Sequence, residues 1–158
     1  MITPIDITQS EIAAEVLTIQ TPAYQAEAKL LNVPTLPPLQ DTIESLQNCG
    51  ETFYGYFINE TLAGFISFKQ EKHIIDIHRL AVNPAYFREG IGKSLLHFIE
   101  NLHDSATKIQ VSTGTGNIPA TTLYTRFGFQ EIKNIIVSEQ LSLTVFEKVL
   151  TKDKNDSI

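Results

Sequence analysis

Residues 80–96 constrain the fold more than any other stretch of the chain. An apolar strand ends at Asn83-Pro84, a short loop carries Gly90 and Gly92 in the spacing G-x-G, and an amphipathic helix follows directly. Glycines let backbone N–H groups converge without interference from side chains. The helix adds free N–H groups and the positive end of its dipole. The stretch therefore predicts a strand–loop–helix unit that favours a phosphate group.

The size and charge of the chain exclude several classes of protein. Its 158 residues fit one domain with a real core, which we place at residues 1–150 with a polar tail at 151–158. The net charge of −6 argues against nucleic acid as a partner. A single cysteine, Cys49, excludes an internal disulfide and a cysteine-based metal site, and we expect no metal. Without a secretory leader or an apolar run of ~18 residues, we expect a cytoplasmic protein with no membrane partner.

The rest of the chain predicts a mixture of helices and strands. Thr8 and Glu11 form a capping box that begins a first helix, Pro22 begins a second, and Asp41 and Glu44 begin a short third. Apolar periodicity predicts two further helices and seven strands: helices over 90–104 and 117–127, and strands over 2–7, 52–58, 63–68, 73–82, 108–113, 132–137 and 141–149. We therefore predict an α+β domain with a central mixed, mostly antiparallel sheet of about seven strands flanked by helices.

A second motif lies downstream of the glycine loop. Residues 117–129 have the sequence N-I-P-A-T-T-L-Y-T-R-F-G-F, which has the pattern N-x-x-A-x-x-L-Y-x-x-x-G-F. Together with residues 77–96, it resembles the GNAT superfamily of acyl-CoA-dependent N-acyltransferases, whose pyrophosphate motif is usually Q/R-x-x-G-x-G/A. Phe87 stands where that motif has Gln or Arg, and Arg88 follows one place later. This departure leaves backbone phosphate binding intact in principle, but puts a side-chain contact at Phe87 in question.

The resemblance implies a binding site for acetyl-CoA, from which we expect an acetyl group to be transferred. Backbone groups of one strand would hold the pantetheine arm as an added strand does: Leu80, Ala81 and Val82. The pyrophosphate would receive backbone N–H groups from the loop and helix start: Arg88, Glu89, Gly90, Ile91, Gly92 and Lys93. The Lys93 and Ser94 side chains can add a charge and a hydroxyl, or form a solvated helix start. Asn117 can contact the pantetheine and cap its helix at the same time.

Acyl transfer to an amine requires two proton transfers. A primary amine with a pKa near ~10 must lose its proton before it attacks, so a base or a water chain is expected. The departing thiolate needs a proton, and the resemblance makes Tyr124 the candidate acid. Tyr124 also shares an apolar helical face with Ala120 and Leu123, so the alternative is a core residue.

Asp76 and His78 are the candidate bases. Strict alternation along the strand predicts that both share one face with Leu80 and Val82. Histidine titrates near neutrality, which suits proton removal. Some arylalkylamine N-acetyltransferases of the superfamily carry two histidines at the matching positions and relay the proton through water. The alternative is a partly buried His78, with Asp76 paired to Arg79 or a lysine.

The acceptor is expected to be a small-molecule or peptide amine. Tyr24, Glu27 and Glu44 are the candidate side chains that would contact it, and exposed helix faces are the alternative. A homodimer is an option that the sequence leaves open. Two other functions compete: a non-catalytic acyl-CoA-binding module, and a P-loop nucleotide binder. The P-loop pattern matches at Gly92-Lys93-Ser94 but needs a glycine at position 87 and a strand running directly into the loop.

Overall fold

The computed structural model describes residues 1–102 and 105–150, so the predicted tail at 151–158 lies outside the described residues. The strands are β1 (Ile2–Ile5), β2 (Thr52–Ile58), β3 (Thr61–Glu71), β4 (Ile74–Val82), β5 (Lys108–Gly114), β6 (Gln130–Ile136) and β7 (Ser142–Val149). The helices are α1 (Ser10–Leu31), α2 (Ile43–Gln47), α3 (Ile91–Leu102) and α4 (Ile118–Arg126), with 3₁₀ turns at Pro37–Gln40 and Pro84–Tyr86. Within the described ranges, no helix is long and apolar enough to cross a membrane.

The seven strands form one sheet in the order β1-β2-β3-β4-β5-β7-β6. Neighbouring strands run antiparallel except β4 and β5, which are parallel and joined by a crossover through α3. The predicted α+β fold, with a mixed and mostly antiparallel sheet of seven strands flanked by helices, is confirmed.

The N-terminal region forms one helix where the sequence predicted two. α1 runs through Pro22, because a helix face that is buried on both sides of the proline offsets the cost of an internal proline, about 3 kcal/mol. That face carries Ala13, Val16 and Ile19 before Pro22 and Ala28 after it. The predicted capping box at Thr8 is also wrong. The Thr8 hydroxyl donates to Asp6 at 2.6 Å, and the helix begins at Ser10 without a side-chain cap.

The short helix α2 is capped by a different pair than the sequence predicted. Thr42 accepts from the Ser45 backbone N–H, and the Ser45 hydroxyl accepts from the Thr42 N–H at 2.8 Å, which completes a capping box. Asp41 is therefore free to point inward, where it meets Arg79.

The sheet separates two apolar cores. Helices α3 and α4 cover one face through Leu95, Ile99 and Tyr124, which pack on Ile75 and Ile77 of β4. Helix α1 covers the other face, where its apolar residues pack with Ala81 and residues of β2 and β3. Both cores therefore meet at β4, the strand that leads into the glycine loop.

Candidate active site

A β-bulge in β4 changes which side chains share a face. Ser67 of β3 lies opposite Arg79, and the next residue, Phe68, lies opposite Ile77, so His78 is an extra residue in the ladder. Such a bulge reverses the alternation beyond it. The expected shared face of Asp76 and His78 with Leu80 and Val82 is therefore wrong. Leu80 and Val82 pack on the core under α3, whereas Asp76 alternates with the Ile75 and Ile77 side chains of that core and points away from it.

β4 also parts from β5 at the bulge. The parallel pairing runs from Ile74 opposite Lys108 to Ile77 opposite Val111 and goes no further among the described residues. Beyond this point Leu80, Ala81 and Val82 pair with β3 alone. One edge of the strand is therefore left without a partner strand at the three residues that the resemblance implied would bind the pantetheine arm.

A buried carboxylate, Glu51, lies beside the bulge. Its side chain is 6% exposed and accepts from Arg79 Nε at 2.9 Å and from the Ser67 hydroxyl at 2.7 Å. Burial alone would raise the pKa of Glu51, but hydrogen bonds from Arg79 and Ser67 and the charges of Arg79 and His78 lower it overall. Glu51 is therefore a fixed anion.

Arg79 connects this carboxylate to α1 and to the loop before α2. Its guanidinium forms an ion pair with Asp41 and donates to the Gln20 side-chain oxygen at 3.3 Å. Gln20 is fully buried and donates to Asp41 at 2.7 Å and to the Pro38 carbonyl at 2.9 Å. Hydrogen bonds from Ser45, Arg79 and Gln20 lower the pKa of Asp41, although its burial opposes them.

The two candidate bases lie on the rim of this network. His78 Nε2 is 3.4 Å from Asp76 Oδ2, and His78 Nδ1 is 3.6 Å from Glu51 Oε2. Burial raises the pKa of Asp76, as do Glu71 and Glu51, while His78 opposes the rise. The suggested pairing of Asp76 with Arg79 is wrong, because Arg79 turns to Glu51 and Asp41.

A second group of predicted residues meets where α1 approaches α4. Asn117 caps α4 by accepting from the Ala120 N–H at 3.2 Å, as predicted, and its side chain also hydrogen-bonds Glu27. Burial raises the pKa of Glu27, and this hydrogen bond opposes the rise. Burial also raises the pKa of Tyr124, with smaller effects of Tyr24 and Glu27 in the same direction. α1 thus brings Tyr24 and Glu27 beside Tyr124 and Asn117, whereas Glu44 is exposed on α2.

Tyr124 is both a core residue and a polar one. Its ring centroid lies 5.6 Å from those of Phe129 and Phe146, and the residue is 5% exposed. The same side chain responds electrostatically to Tyr24 and Glu27. The ring therefore belongs to the core under α4 while the hydroxyl lies close to the polar residues of α1.

Tyr24 links the two groups of polar residues. Burial raises its pKa, and Glu27 adds to the rise, while a hydrogen bond with the Leu80 backbone and the charge of Arg79 lower it. Because a backbone N–H stabilises a phenolate, the Leu80 contact places the Tyr24 hydroxyl at the open part of β4. Tyr24 thus interacts both with the candidate acid Tyr124 and with Arg79 and Glu51 of the network beside the candidate bases.

The glycine loop follows the open edge of β4. Arg88 and Gly90 both have left-handed backbones, with φ of 70° and 79°. Left-handed residues that alternate with ordinary ones turn successive N–H groups toward one point, which makes an anion-binding concavity. The side chains of Arg88, Glu89 and Lys93 are exposed, and the Ser94 hydroxyl donates to the Gly90 carbonyl at 3.0 Å. The 3₁₀ turn at Pro84–Tyr86 separates strand from loop, unlike the direct strand-to-loop junction that a P-loop requires.

Sequence reasoning missed Glu51, Asp41, Gln20 and the ion pairs of Arg79. Only Arg79 carried a signal, as the single arginine or lysine within β4. The others lie far away in sequence, on α1 and in the loops before α2 and β2, and no motif marks them.

Comparison with known proteins places this arrangement among acetyltransferases. The ribosomal-protein-S18-alanine N-acetyltransferase of Escherichia coli superposes with a TM-score of 0.74 at 16% identity, over 97% of this chain and 95% of its own. The PaiA N-acetyltransferase of Thermoplasma acidophilum, solved with coenzyme A, superposes with a TM-score of 0.76 at 18% identity, over 94% and 99% of the two chains. At these identities the likeness shows a shared fold.

The sequence itself gives the family. Residues 14–129 match the model of the Acetyltransferase (GNAT) family, and both motifs lie within that range. The chain belongs to the GNAT acetyltransferase family, as its resemblance predicted. The UPF0157 protein YqkA of Bacillus subtilis (strain 168) is 39% identical over 138 residues. That match covers 87% of this chain but 40% of the relative, so the chain spans well under half the length of this curated relative.

Proposed function

We propose that this chain transfers an acetyl group from acetyl-CoA to a primary amine by direct attack of the amine on the thioester. The observation that carries the proposal is the parting of β4 from β5 after Ile77, which leaves one edge of the strand uncovered between His78 and the glycine loop. Tyr24, whose hydroxyl contacts the Leu80 backbone there, also acts on Tyr124. The solved PaiA enzyme with coenzyme A, which shares this fold, supports the choice of cofactor.

The residues present fit acetyl-CoA, which supplies an activated acetyl thioester when bound. Leu80, Ala81 and Val82 offer backbone hydrogen-bonding groups on an edge that is not covered by β5. The loop from Arg88 to Lys93 offers the N–H groups of an anion-binding concavity and of the start of α3. Because the N–H groups bind the pyrophosphate, Phe87 needs no polar side chain.

Tyr124 is the proposed acid. The raised pKa keeps this phenol protonated at physiological pH but makes it a weaker acid, so proton donation relies on the departing thiolate lying against the hydroxyl. Asn117 and Glu27 hold the polar surroundings of this hydroxyl in place.

His78 and Asp76 are the proposed proton acceptors for the amine. They lie 3.4 Å apart at the open rim, where an incoming ammonium group can reach them. The Asp76 carboxylate also gives this rim a negative character that favours a cationic acceptor. Tyr24 and Glu27 are the proposed acceptor contacts on α1.

The test is release of free thiol from acetyl-CoA by the purified chain across a panel of small primary amines and N-terminal peptides. We expect release with at least one amine, together with thermal stabilisation by acetyl-CoA. Stabilisation without release for any acceptor would instead favour a non-catalytic acyl-CoA-binding module. Release and stabilisation that are both absent would contradict the proposal.

A further inference from the structure

The bulge in β4 directs two successive side chains at one carboxylate. Regular alternation would send His78 and Arg79 to opposite faces of the sheet. Instead, Arg79 Nε lies 2.9 Å from Glu51 Oε1, and His78 Nδ1 lies 3.6 Å from Glu51 Oε2. Bulges of this kind re-aim side chains near active sites. Glu51 therefore contacts both the buried arginine and the candidate base.

Glu51 is a poor proton acceptor but a good fixed charge. Both of its oxygens are engaged, Oε1 by Ser67 and Arg79 Nε and Oε2 by Arg79 Nη2 at 3.3 Å. Its neighbours hold its pKa below the usual range. A carboxylate so engaged stays ionised at neutral pH and influences the groups around it through its charge.

The two ring nitrogens of His78 meet unequal carboxylates. Glu51, on the Nδ1 side, has a side chain that is 6% exposed, whereas Asp76, on the Nε2 side, has one that is 55% exposed. A buried charge is screened by water far less than an exposed one. Glu51 is therefore the less screened of the two charges, with Arg79 neutralising part of it from the same strand. Asp76 lies slightly nearer to the ring, at 3.4 Å against 3.6 Å, but is exposed, and Lys69 and Glu71 of β3 act on it. This asymmetry favours a proton on Nδ1.

We propose that Glu51 is a positioning residue that holds the neutral His78 ring with its proton on Nδ1, so that Nε2 receives the proton of the acceptor ammonium. This inference rests on the proposed function for its catalytic part. The 3.6 Å between His78 Nδ1 and Glu51 Oε2 is longer than a hydrogen bond, and catalytic hydrogen bonds are often long before substrate binds and tighten in the complex.

The proton and electron balance is closed within the proposed reaction. An N–H bond of the ammonium breaks, and its proton moves to Nε2, so the ring becomes an imidazolium between Glu51 and Asp76. The freed amine pair then forms the C–N bond as the C–S bond breaks, and Tyr124 protonates the thiolate. The acylated nitrogen loses its second proton, which returns the Tyr124 phenolate to the phenol. The imidazolium returns its Nε2 proton to water through the exposed Asp76 side.

The first test needs no turnover. Long-range ¹H–¹⁵N correlation spectra of the full-length labelled chain distinguish the two neutral tautomers, and a His78→Gln spectrum assigns the ring. We expect Nδ1–H as the major form in the wild type and a Nδ1–H to Nε2–H ratio at least about threefold lower in Glu51→Gln. The inference would be overturned if Nε2–H were the major form in the wild type, or if the tautomer ratio were the same in Glu51→Gln as in the wild type.

Asp41→Asn is the matched control, because Asp41 pairs with Arg79 as Glu51 does, whereas the contact with His78 belongs to Glu51. Both variants should lose thermal stability, but Asp41→Asn should keep the tautomer ratio of the wild type. An equal change of the ratio in both variants would mean that the whole network, rather than Glu51, sets the ring, and would overturn the proposal.

The second test uses the best amine from the panel at saturating acetyl-CoA. Glu51→Gln should lower kcat at least about tenfold at pH 7 while the Kd of acetyl-CoA stays within about twofold. The deficit should shrink at pH 9.5, where more amine is already free, and adding His78→Gln should cost little more. Equal deficits at both pH values would contradict a role in proton transfer. If none of the amines in the panel supports turnover, the proposed function is contradicted. The spectra test the positioning role of Glu51 independently of turnover.

Discussion

The first half of β4, residues 74–77, is paired on both edges and buries Ile75 and Ile77, whereas the second half, residues 78–82, is paired with β3 alone. The first half is held by apolar packing under α3. The second half also packs Leu80, Ala81 and Val82 on the two cores, and in addition carries His78 and Arg79, which form ion pairs and hydrogen bonds with α1 and the loops.

The difference shows where a sheet can bind a ligand. A strand that is paired on both edges has no backbone groups to offer a ligand. The first half of β4 therefore supports the sheet but offers no backbone binding site. Once β5 diverges, the second half regains free backbone groups, and the buried pairs of Arg79 replace the lost ladder as its anchor. The structure thereby combines an open edge with a fixed geometry.

The sharpest way to break this comparison is to remove the anchor of the second half. Arg79→Met leaves Glu51, Asp41 and Gln20 without their cation, and the loss of one partner of a buried ion pair costs about 3–5 kcal/mol. Ile75→Val, in the first half, removes one methylene from a full core and should cost about 0.5–1.5 kcal/mol. Urea unfolding followed by circular dichroism measures both. A smaller effect for Arg79→Met than for Ile75→Val would show that the ions do not anchor the strand.

Tyr124→Phe tests the residue that is proposed to protonate the departing thiolate. Loss of the hydroxyl should lower kcat at least about tenfold, because the thiolate then leaves without its proton donor. The ring contacts with Phe129 and Phe146 remain, so stability and acetyl-CoA affinity should hardly change. Steady-state thiol release and calorimetry measure the two quantities. Tyr54→Phe, on β2 beside Phe98, is the control, and unchanged turnover in Tyr124→Phe would remove this residue from the mechanism.

Lowering the pH should weaken the ion pairs that Glu51 and Asp41 form with Arg79 in the second half of β4. Because the folded-state pKa values of Glu51 and Asp41 are lowered, they stabilise the fold above the ordinary carboxyl pKa of about 4, and this stability is lost as the pH falls through the folded values. Unfolding free energies of the wild type and Asp41→Asn should therefore converge between pH 6 and pH 3. A constant difference across that range would show that the pKa of Asp41 is not lowered by folding.

The smallest effects are expected in the loop that follows the second half. Arg88 has a φ of 70°, so Arg88→Gly should raise the unfolding free energy by at most about 1 kcal/mol. Gly90→Ala is the matched change of opposite sign, since its φ is 79° and nothing lies within 4 Å of an added Cβ. Calorimetry of acetyl-CoA binding sharpens the result. If Arg88→Gly weakened the affinity for acetyl-CoA by more than about tenfold, the Arg88 side chain, rather than the backbone, would hold the pyrophosphate.

Most of the fold could be predicted from local patterns in the sequence. Apolar alternation and the turn residues located the strands to within a few residues, and the two motifs led to the family. The errors at Pro22 and Asp41 share one cause, because each depends on what residues far away in sequence offer, whereas Thr8 bonds instead to Asp6, two positions before it. Pro22 is tolerated because α1 is buried on both sides of it, and Asp41 leaves its predicted cap for Arg79.

By itself, the sequence determined the order of elements, the glycine loop, the Asn117 cap and the candidate acid, because each is written in neighbouring residues. Only the tertiary structure decided the faces of β4, since a single extra residue at His78 reverses an alternation that looks regular in the sequence. It also decided the partner of Arg79 and the place of Glu51, 28 positions before it in the chain. Those contacts arise when α1, the loop before α2 and the bulged strand close on one another, and burial then makes their charges count.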